Sequence, residues 1–227
     1  MTEAAGALLW DLDGTLVDSR ADLAAAGNHA RAQLGLDPLP VDTVGSYVGD
    51  GVGKLVERLC PGIDQAAYRC ARQAFDDYYH AHCLEQTGCY PGVFDAVVAC
   101  AAAGWRQAVV TNKATGFSRR ILEHCRLADY FIFIYGGDIG PRKPDPAAVR
   151  AVLAGLAVPA ERAWMIGDHR TDLQVAAAAG LRSIHCTYGF GRRDGEPATH
   201  SCRQASEIPS LVGADRMTSA DQAAEDP

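Results

Sequence analysis

The 227-residue chain contains no apolar run near the roughly 20 residues that a bilayer-spanning helix requires, so the sequence predicts no membrane segment. It also lacks an excess of basic residues. Lys and Arg number 21 against 28 Asp and Glu, a net charge of −7. A negative overall field repels nucleic acid and anionic membrane, so neither is expected as a partner. The first residues, Met-Thr-Glu-Ala-Ala-Gly, carry an acid where an export signal would carry Lys or Arg. None of the eight cysteines is spaced Cys-x-x-Cys, so no zinc or dithiol redox site is predicted. The expectation is a cytosolic protein whose thiols are reduced and mostly buried, Cys70 and Cys100 among them. Internal repeats are absent. With 48% hydrophobic and 22% charged residues, the chain is neither disordered nor a coiled-coil rod, and it is long enough to bury a core.

Hydropathy patterning then organises the chain. Residues 7–10 form a short apolar run that stops at the turn Asp11-Leu-Asp-Gly, the pattern of a buried strand ending in a loop. Beyond residue 90, helices and strands alternate. Helices are predicted at 92–103, 115–125, 146–155 and 171–179. Strands are predicted at 107–111, 131–135, 163–167 and 182–186. Such alternation implies right-handed βαβ crossovers and a parallel sheet. Residues 16–88 show no convincing strand. Helices are expected from Asp18 or Ser19 to Leu34, at 41–48, at 51–59 and at 64–84. On the last, Ala67, Cys70, Ala71, Ala74, Phe75 and Tyr78 recur at helical spacing and mark a buried face. The fold class is therefore α/β: a Rossmann-like core of residues 1–15 and 89–213 with an all-helical insert at 16–88. Residues 214–227 hold four acids and one large apolar residue, and read as a loose tail.

Four polar clusters fall at the C-terminal ends of four predicted strands, the edge where open parallel sheets bind ligands. Asp11 and Asp13 come first. Two carboxylates two residues apart in a tight loop repel unless a cation joins them or one is protonated. Asp11 is a candidate nucleophile and cation ligand, and Asp13 a candidate general acid and base; a surface Asx-turn is the plain alternative. Thr111 and Asn112, followed by Lys113, could donate to a phosphoryl oxygen or cap the next helix. Lys143, stiffened by Pro144 and Pro146, could neutralise a nucleophile and a phosphate together. Asp168 suits a second carboxylate ligand of Mg²⁺, which takes few protein carboxylates. Asp172 is either a second-layer partner or a helix N-terminal acid.

Taken together, Asp11-Leu-Asp-Gly-Thr, Val-Thr111-Asn112, Lys143-Pro-Asp-Pro and Gly-Asp168-x-x-x-Asp172 resemble the haloacid dehalogenase superfamily of phosphohydrolases. The resemblance covers nearly the whole chain. It implies one Mg²⁺ held by Asp11, the Asp13 backbone carbonyl and Asp168. It implies transfer through an aspartyl-phosphate at Asp11, with Asp13 protonating the leaving alcohol and then activating water. It also implies that segment 16–88 is a substrate-selecting cap. Asp18-Ser-Arg-Ala-Asp-Leu, Tyr47-Val-Gly-Asp-Gly, Tyr90-Pro-Gly-Val, Thr111-Asn-Lys, Gly136-Gly-Asp and Thr187-Tyr-Gly-Phe-Gly resemble the phosphoglycolate phosphatase branch. The implied substrate is 2-phosphoglycolate, and the implied state is a monomer or homodimer. His169, where Ser or Thr often stands in this family, and the short loop from Asp138 to Lys143 depart from the branch.

The glycine-rich stretch Gly51-Val-Gly-Lys-Leu is not a phosphate-binding P-loop: residue 48 is Val and residue 55 is Leu. It reads as a cap loop facing the site, with Gly49, Asp50, Gly51 and Lys54 as candidate substrate contacts and Arg20 and Arg58 as further cations. Segment 16–88 has six Lys or Arg against ten acids, so individual groups rather than bulk charge must select an anion. Rival readings are a phosphatase of other small esters, a β-phosphoglucomutase-type mutase, a phosphonate hydrolase using Lys54, and a non-catalytic phosphometabolite-binding protein.

Overall fold

The structure, a computed structural model, describes residues 4–214. The chain enters through strand β1 (Gly6–Trp10) and reaches a two-residue strand β2 (Val17–Asp18). Helices α1 (Arg20–Ala32), α2 (Val41–Gly45), α3 (Val52–Leu59) and α4 (Gln65–His82) follow, and β3 (Gly88–Cys89) returns antiparallel to β2. The remainder alternates: α5 (Val93–Ala102), β4 (Trp105–Val110), α6 (Thr115–His124), β5 (Phe133–Tyr135), α7 (Pro146–Leu156), β6 (Ala163–Gly167), α8 (Arg170–Ala179), β7 (Arg182–Cys186) and β8 (His200–Cys202). The six-stranded sheet has order β5-β4-β1-β6-β7-β8, and every pairing is parallel.

Period-two alternation divides the core. Leu8 and Trp10 of β1 face one layer with Val109, Trp164, Ile166 and Ile184, covered by Val97 and Cys100 of α5 and by Ile121 and Leu122 of α6. Ala7 and Leu9 face the other, with Ala108, Val110 and Met165, covered by Val149, Val152 and Leu156 of α7 and Val175 of α8. Strands buried on both faces read as continuous apolar runs, which is why β1 and β6 were legible. A third apolar cluster, with Leu23, Leu55, Val56, Leu59, Phe75 and Tyr79, holds α1, α3 and α4 to one another.

Several expectations need correction. Segment 16–88 is not free of strand, since β2 and β3 form its stalk; two-residue strands carry no periodic signal. Strand β8 is likewise too short to announce itself. Strand β4 begins two residues earlier than predicted, and β5 two residues later. Helix α2 stops at Gly45, three residues short of the predicted end. The buried face of α4 is Ala71, Phe75 and Tyr79, and Cys70 is exposed. Five of the eight cysteines are buried, and all eight are free thiols. Apart from residue 214, the expected tail lies outside the described residues.

Candidate functional site

The C-terminal end of β1 sits between β4 and β6, so the loops after these three strands meet above the middle of the sheet. Asp11 follows β1 directly and its backbone N–H donates to Ile166 on β6. Gly14 lets the loop turn at φ +85°; a Cβ there would lie 1.9 Å from the Asp168 carboxylate. The spacing Asp11-x-Asp13-Gly14 thus has a steric reason: the loop must pass close to a second acid.

Lys143 Nζ lies 2.8 Å from Asp11 Oδ1 and 2.6 Å from Asp172 Oδ1, with its side chain 1% exposed. Burial alone would lower this ammonium, but Asp11 and Asp172 outweigh it and hold the pKa above the ordinary lysine value. Asp11 is buried too. Desolvation, opposed by Lys143 and reinforced by Asp172, raises its carboxyl to about 6. Asp168 is pushed well above the usual carboxylate range by burial and then by Asp11 and Asp172. The carboxylates of Asp11, Asp168 and Asp172 offer oxygens within 4.8 Å of one another, all buried. Three buried acids facing one lysine leave uncompensated negative charge, which is the condition that favours a bound hard cation.

The donor set fits Mg²⁺, though not symmetrically. Asp172 is saturated by Lys143 on Oδ1 and by the His169 N–H, 3.0 Å from Oδ2. Asp168 Oδ2 accepts from the backbone N–H groups of Phe190 and Gly191 at 3.0 and 2.6 Å. The oxygens left over are on Asp11 and on Oδ1 of Asp168, the latter near Thr15 Oγ1 at 3.4 Å. Asp172 closes a capping box at the start of α8 and accepts from Lys143.

Asp13 is held otherwise. Ser19 Oγ donates to its Oδ1 at 2.5 Å, and Lys113 Nζ binds both carboxylate oxygens at 2.8 and 2.9 Å. Ser19 stands at the N-terminus of α1 but makes no side-chain cap there. Lys113 was legible only as part of a polar cluster; its pairing with Asp13, 100 residues away, belongs to the tertiary structure. Thr111 and Asn112 line the cavity above Asp11. Neither caps α6, whose first turn receives Asp138 Oδ1 on the Thr115 N–H at 2.8 Å. The Asn112 amide accepts from the Lys143 N–H at 2.9 Å and donates to the carbonyls of Lys143 and Gly49. Its side chain therefore positions the Lys143 loop and the glycine-rich loop, rather than pointing free into the cavity.

That glycine-rich loop divides its candidates. Gly49 and Gly51 line the cavity. Gly49 has φ +122° and packs on His169, whose ring a Cβ would meet at 2.7 Å. Asp50 turns away and joins Arg170 at 2.9 and 2.8 Å, and also Arg58. Against the effect of burial, Arg58 and Arg170 hold the Asp50 carboxyl below its ordinary range. Lys54 is exposed, 2.7 Å from Glu57, and Arg20 pairs with Asp18 at 2.7 Å; neither lines the cavity. His169 is buried, and burial followed by Arg170 lowers its pKa to about 4, so it is a neutral packing surface.

A buried Asp–Lys–Asp cluster with an adjacent acid, at the strand ends of a doubly covered parallel sheet, defines an α/β enzyme equipped for phosphoryl transfer. Known proteins agree. The family model described as haloacid dehalogenase-like hydrolase matches residues 8–186, and the chain belongs to that family. Among its relatives, a phosphoglycolate phosphatase of Neisseria meningitidis is 39% identical over 191 residues, covering 82% of this chain and 81% of the relative. Another phosphoglycolate phosphatase, from Pseudomonas putida, is 38% identical over 213 residues, 90% of this chain and 75% of the relative. A solved structure from Haemophilus somnus, described as a predicted phosphoglycolate phosphatase, superposes with a TM-score of 0.87 at 24% identity. The match covers 91% of this chain and 97% of that one, and at this identity it speaks for the fold.

Proposed function

We propose that the protein hydrolyses a small phosphate monoester, 2-phosphoglycolate, through an aspartyl-phosphate at Asp11. That it is a phosphatase rests on its family and on relatives that carry that name. The reading of the residues rests above all on Lys143, buried against Asp11 and Asp172. An ammonium so placed holds the nucleophile oriented and offsets charge on an incoming phosphate.

In the first step an Asp11 oxygen attacks phosphorus and the bond to the ester oxygen breaks. Asp13 delivers a proton to that oxygen as it leaves. In the second step Asp13 takes a proton from water, which attacks the aspartyl-phosphate, releases phosphate and restores Asp11. Thr111 would donate its hydroxyl to a phosphoryl oxygen. Asp11, Asp168 and the Asp13 backbone carbonyl would hold Mg²⁺, which when bound neutralises phosphate charge. Asp172 and Asn112 position Lys143. Residues 1–15 and 89–213 act as the catalytic core, and 16–88 as a cap that closes over it. Gly49 and Gly51 contribute to the roof, while Asp50 serves as a latch. The eight free thiols favour a cytosolic setting, and among the described residues no helix is long and apolar enough to cross a membrane. A monomer or homodimer suffices, because every named group comes from one chain.

Phosphate release by purified protein with Mg²⁺ tests this across 2-phosphoglycolate, hexose phosphates, nucleoside monophosphates and a phosphonate. The expected result is a preference for 2-phosphoglycolate that Asp11→Asn reduces by about 10³-fold or more, the scale of losing a covalent nucleophile. Activity spread over other esters would remove the substrate assignment. Isomerisation of sugar phosphates without net release would establish a mutase instead.

A further inference from the structure

The cavity is apolar away from the acids: Leu23, Val52, Leu55 and Phe75 of the inserted helices form its roof, with Phe117 of α6 and Phe190 of the loop after β7 beside them. A carboxylate carried in on a substrate tail is costly to bury there unless a cation meets it. Among the described residues two cationic side chains line the cavity, Arg72 and Lys113. Arg72 is already neutralised by Asp76 at 2.6 Å, and both of these side chains are 36% exposed. Lys113 is buried, at the junction of floor and roof, with its side chain 7% exposed. Beside it stands Tyr79 of α4, 2% exposed, with Lys113 Nζ 4.8 Å from the ring centroid. Tyr79 lines the same cavity; its buried hydroxyl faces the Lys113 ammonium, from which it can only accept, and among the described residues its own proton meets no acceptor. A buried hydroxyl left unsatisfied in a cavity is a donor waiting for an acceptor.

We propose that Lys113 and Tyr79 form a receptor for a second anionic group on the substrate, a carboxylate one carbon from the phosphate ester. This deepens the functional reading above and rests on its assignment of Asp13 as the general acid. Reach supports the assignment. A general acid must come within about 3 Å of the ester oxygen it protonates. Lys113 Nζ stands 2.8 Å from the same Asp13 carboxylate. Laid end to end, these place the ammonium at most about 6 Å from the ester oxygen. A carboxylate one methylene out from that oxygen can come within hydrogen-bond reach of Nζ. In the free protein Asp13 occupies the ammonium. The substrate carboxylate would share that ammonium, which has three N–H donors, and accept from the Tyr79 hydroxyl as well, while Asp13 faces the ester oxygen.

The test compares kcat/KM for 2-phosphoglycolate with that for 2-hydroxyethyl phosphate, an ester of similar length whose tail carries no charge. Because Lys113 also touches Asp13, the ratio of the two substrates is the readout, and damage common to both cancels. Lys113→Met is expected to reduce the ratio by about 100-fold, and Tyr79→Phe, which removes a single oxygen atom, by about 10-fold. Arg72→Met should leave it within about twofold. If thermal melts show that Lys113→Met does not fold, Tyr79→Phe carries the test. A ratio unchanged in Tyr79→Phe, and in Lys113→Met where it folds, with wild type active on both esters, would overturn the receptor and leave the phosphatase reading standing. A ratio that falls in Arg72→Met instead would move the receptor there. Release from neither ester by wild type would overturn both proposals together.

Discussion

The floor and the roof of the cavity follow opposite physics. The floor concentrates charge that burial makes expensive: Asp11, Lys143, Asp168 and Asp172 are each at most 7% exposed and held by one another or by backbone N–H groups, with carboxylate oxygens of Asp11 and Asp168 left open. The roof is a hydrophobic cluster of the inserted helices, and its charged residues are spent on partners at its rim, Lys54 on Glu57, Arg72 on Asp76, and Asp50 on Arg58 and Arg170. Chemistry that must work on any phosphate ester is built into the floor. On the reading proposed above, selection among esters falls to the few groups at the seam, Lys113 and Tyr79, and to the Asp50 contacts that join roof to floor.

The largest expected effect breaks the floor. Lys143→Met leaves Asp11 and Asp172 facing each other without their cation. In metal-free protein it should cost about 3–5 kcal/mol, the range for removing one partner of a buried ion pair. Urea unfolding measures this, and a loss near zero would mean that the cluster relaxes or takes water.

Metal comes next. Mg²⁺ added to metal-free protein should raise the melting temperature, since a ligand at about 100 times its Kd contributes roughly 2.7 kcal/mol. Asp168→Asn should lose most of that gain, whereas Asp76→Asn, at the roof, should keep it. An unchanged melting temperature in wild type would remove the cation from the floor.

The latch is a smaller effect with a defined pH dependence. The folded-state pKa of Asp50 is depressed by Arg58 and Arg170. Its contribution is therefore present above the ordinary carboxylate value near 4 and lost as pH falls through the folded value, because the unfolded chain then binds the proton first. Asp50→Asn should cost about 1 kcal/mol at pH 7, discounted for partial exposure, and should flatten the acid limb of a stability–pH curve. A variant that keeps the wild-type acid limb would dissociate the latch from that limb. The smallest change should come from Lys54→Met. With its side chain 59% exposed and paired only with Glu57, it should alter kcat/KM less than about twofold.

Much of the core was legible before any coordinates. Buried parallel strands read as apolar runs, so β6 and β7 were located to the residue. Asp11 and Asp168 were legible because each follows such a run directly; Asp172 stands in the first turn of the next helix, and Lys143, eight residues beyond β5, was marked by its flanking prolines. Lys113 was harder: a lysine after Thr-Asn reads as solvated surface until the fold brings Asp13 to it. Tyr79 was missed because at helical spacing an aromatic residue is first of all core, and Tyr78 beside it fitted the pattern as well. Lys54 attracted notice as a basic group in a glycine-rich loop, yet its helix turns it outward. The stalk strands β2 and β3 were invisible, since two residues carry no period.

What the sequence determined by itself was the alternation of buried runs and turns, and with it the sheet, its ligand edge and the acids and lysine that stand there. These depend on local order along the chain, where a strand end and the residue after it are neighbours by covalent bond. Which lysine meets which acid, which tyrosine stands beside that lysine, and which cap residue faces inward were decided by the tertiary structure. Those relations join residues far apart in the chain, as in Lys143 with Asp11 and Asp50 with Arg170, and follow from packing rather than from spacing.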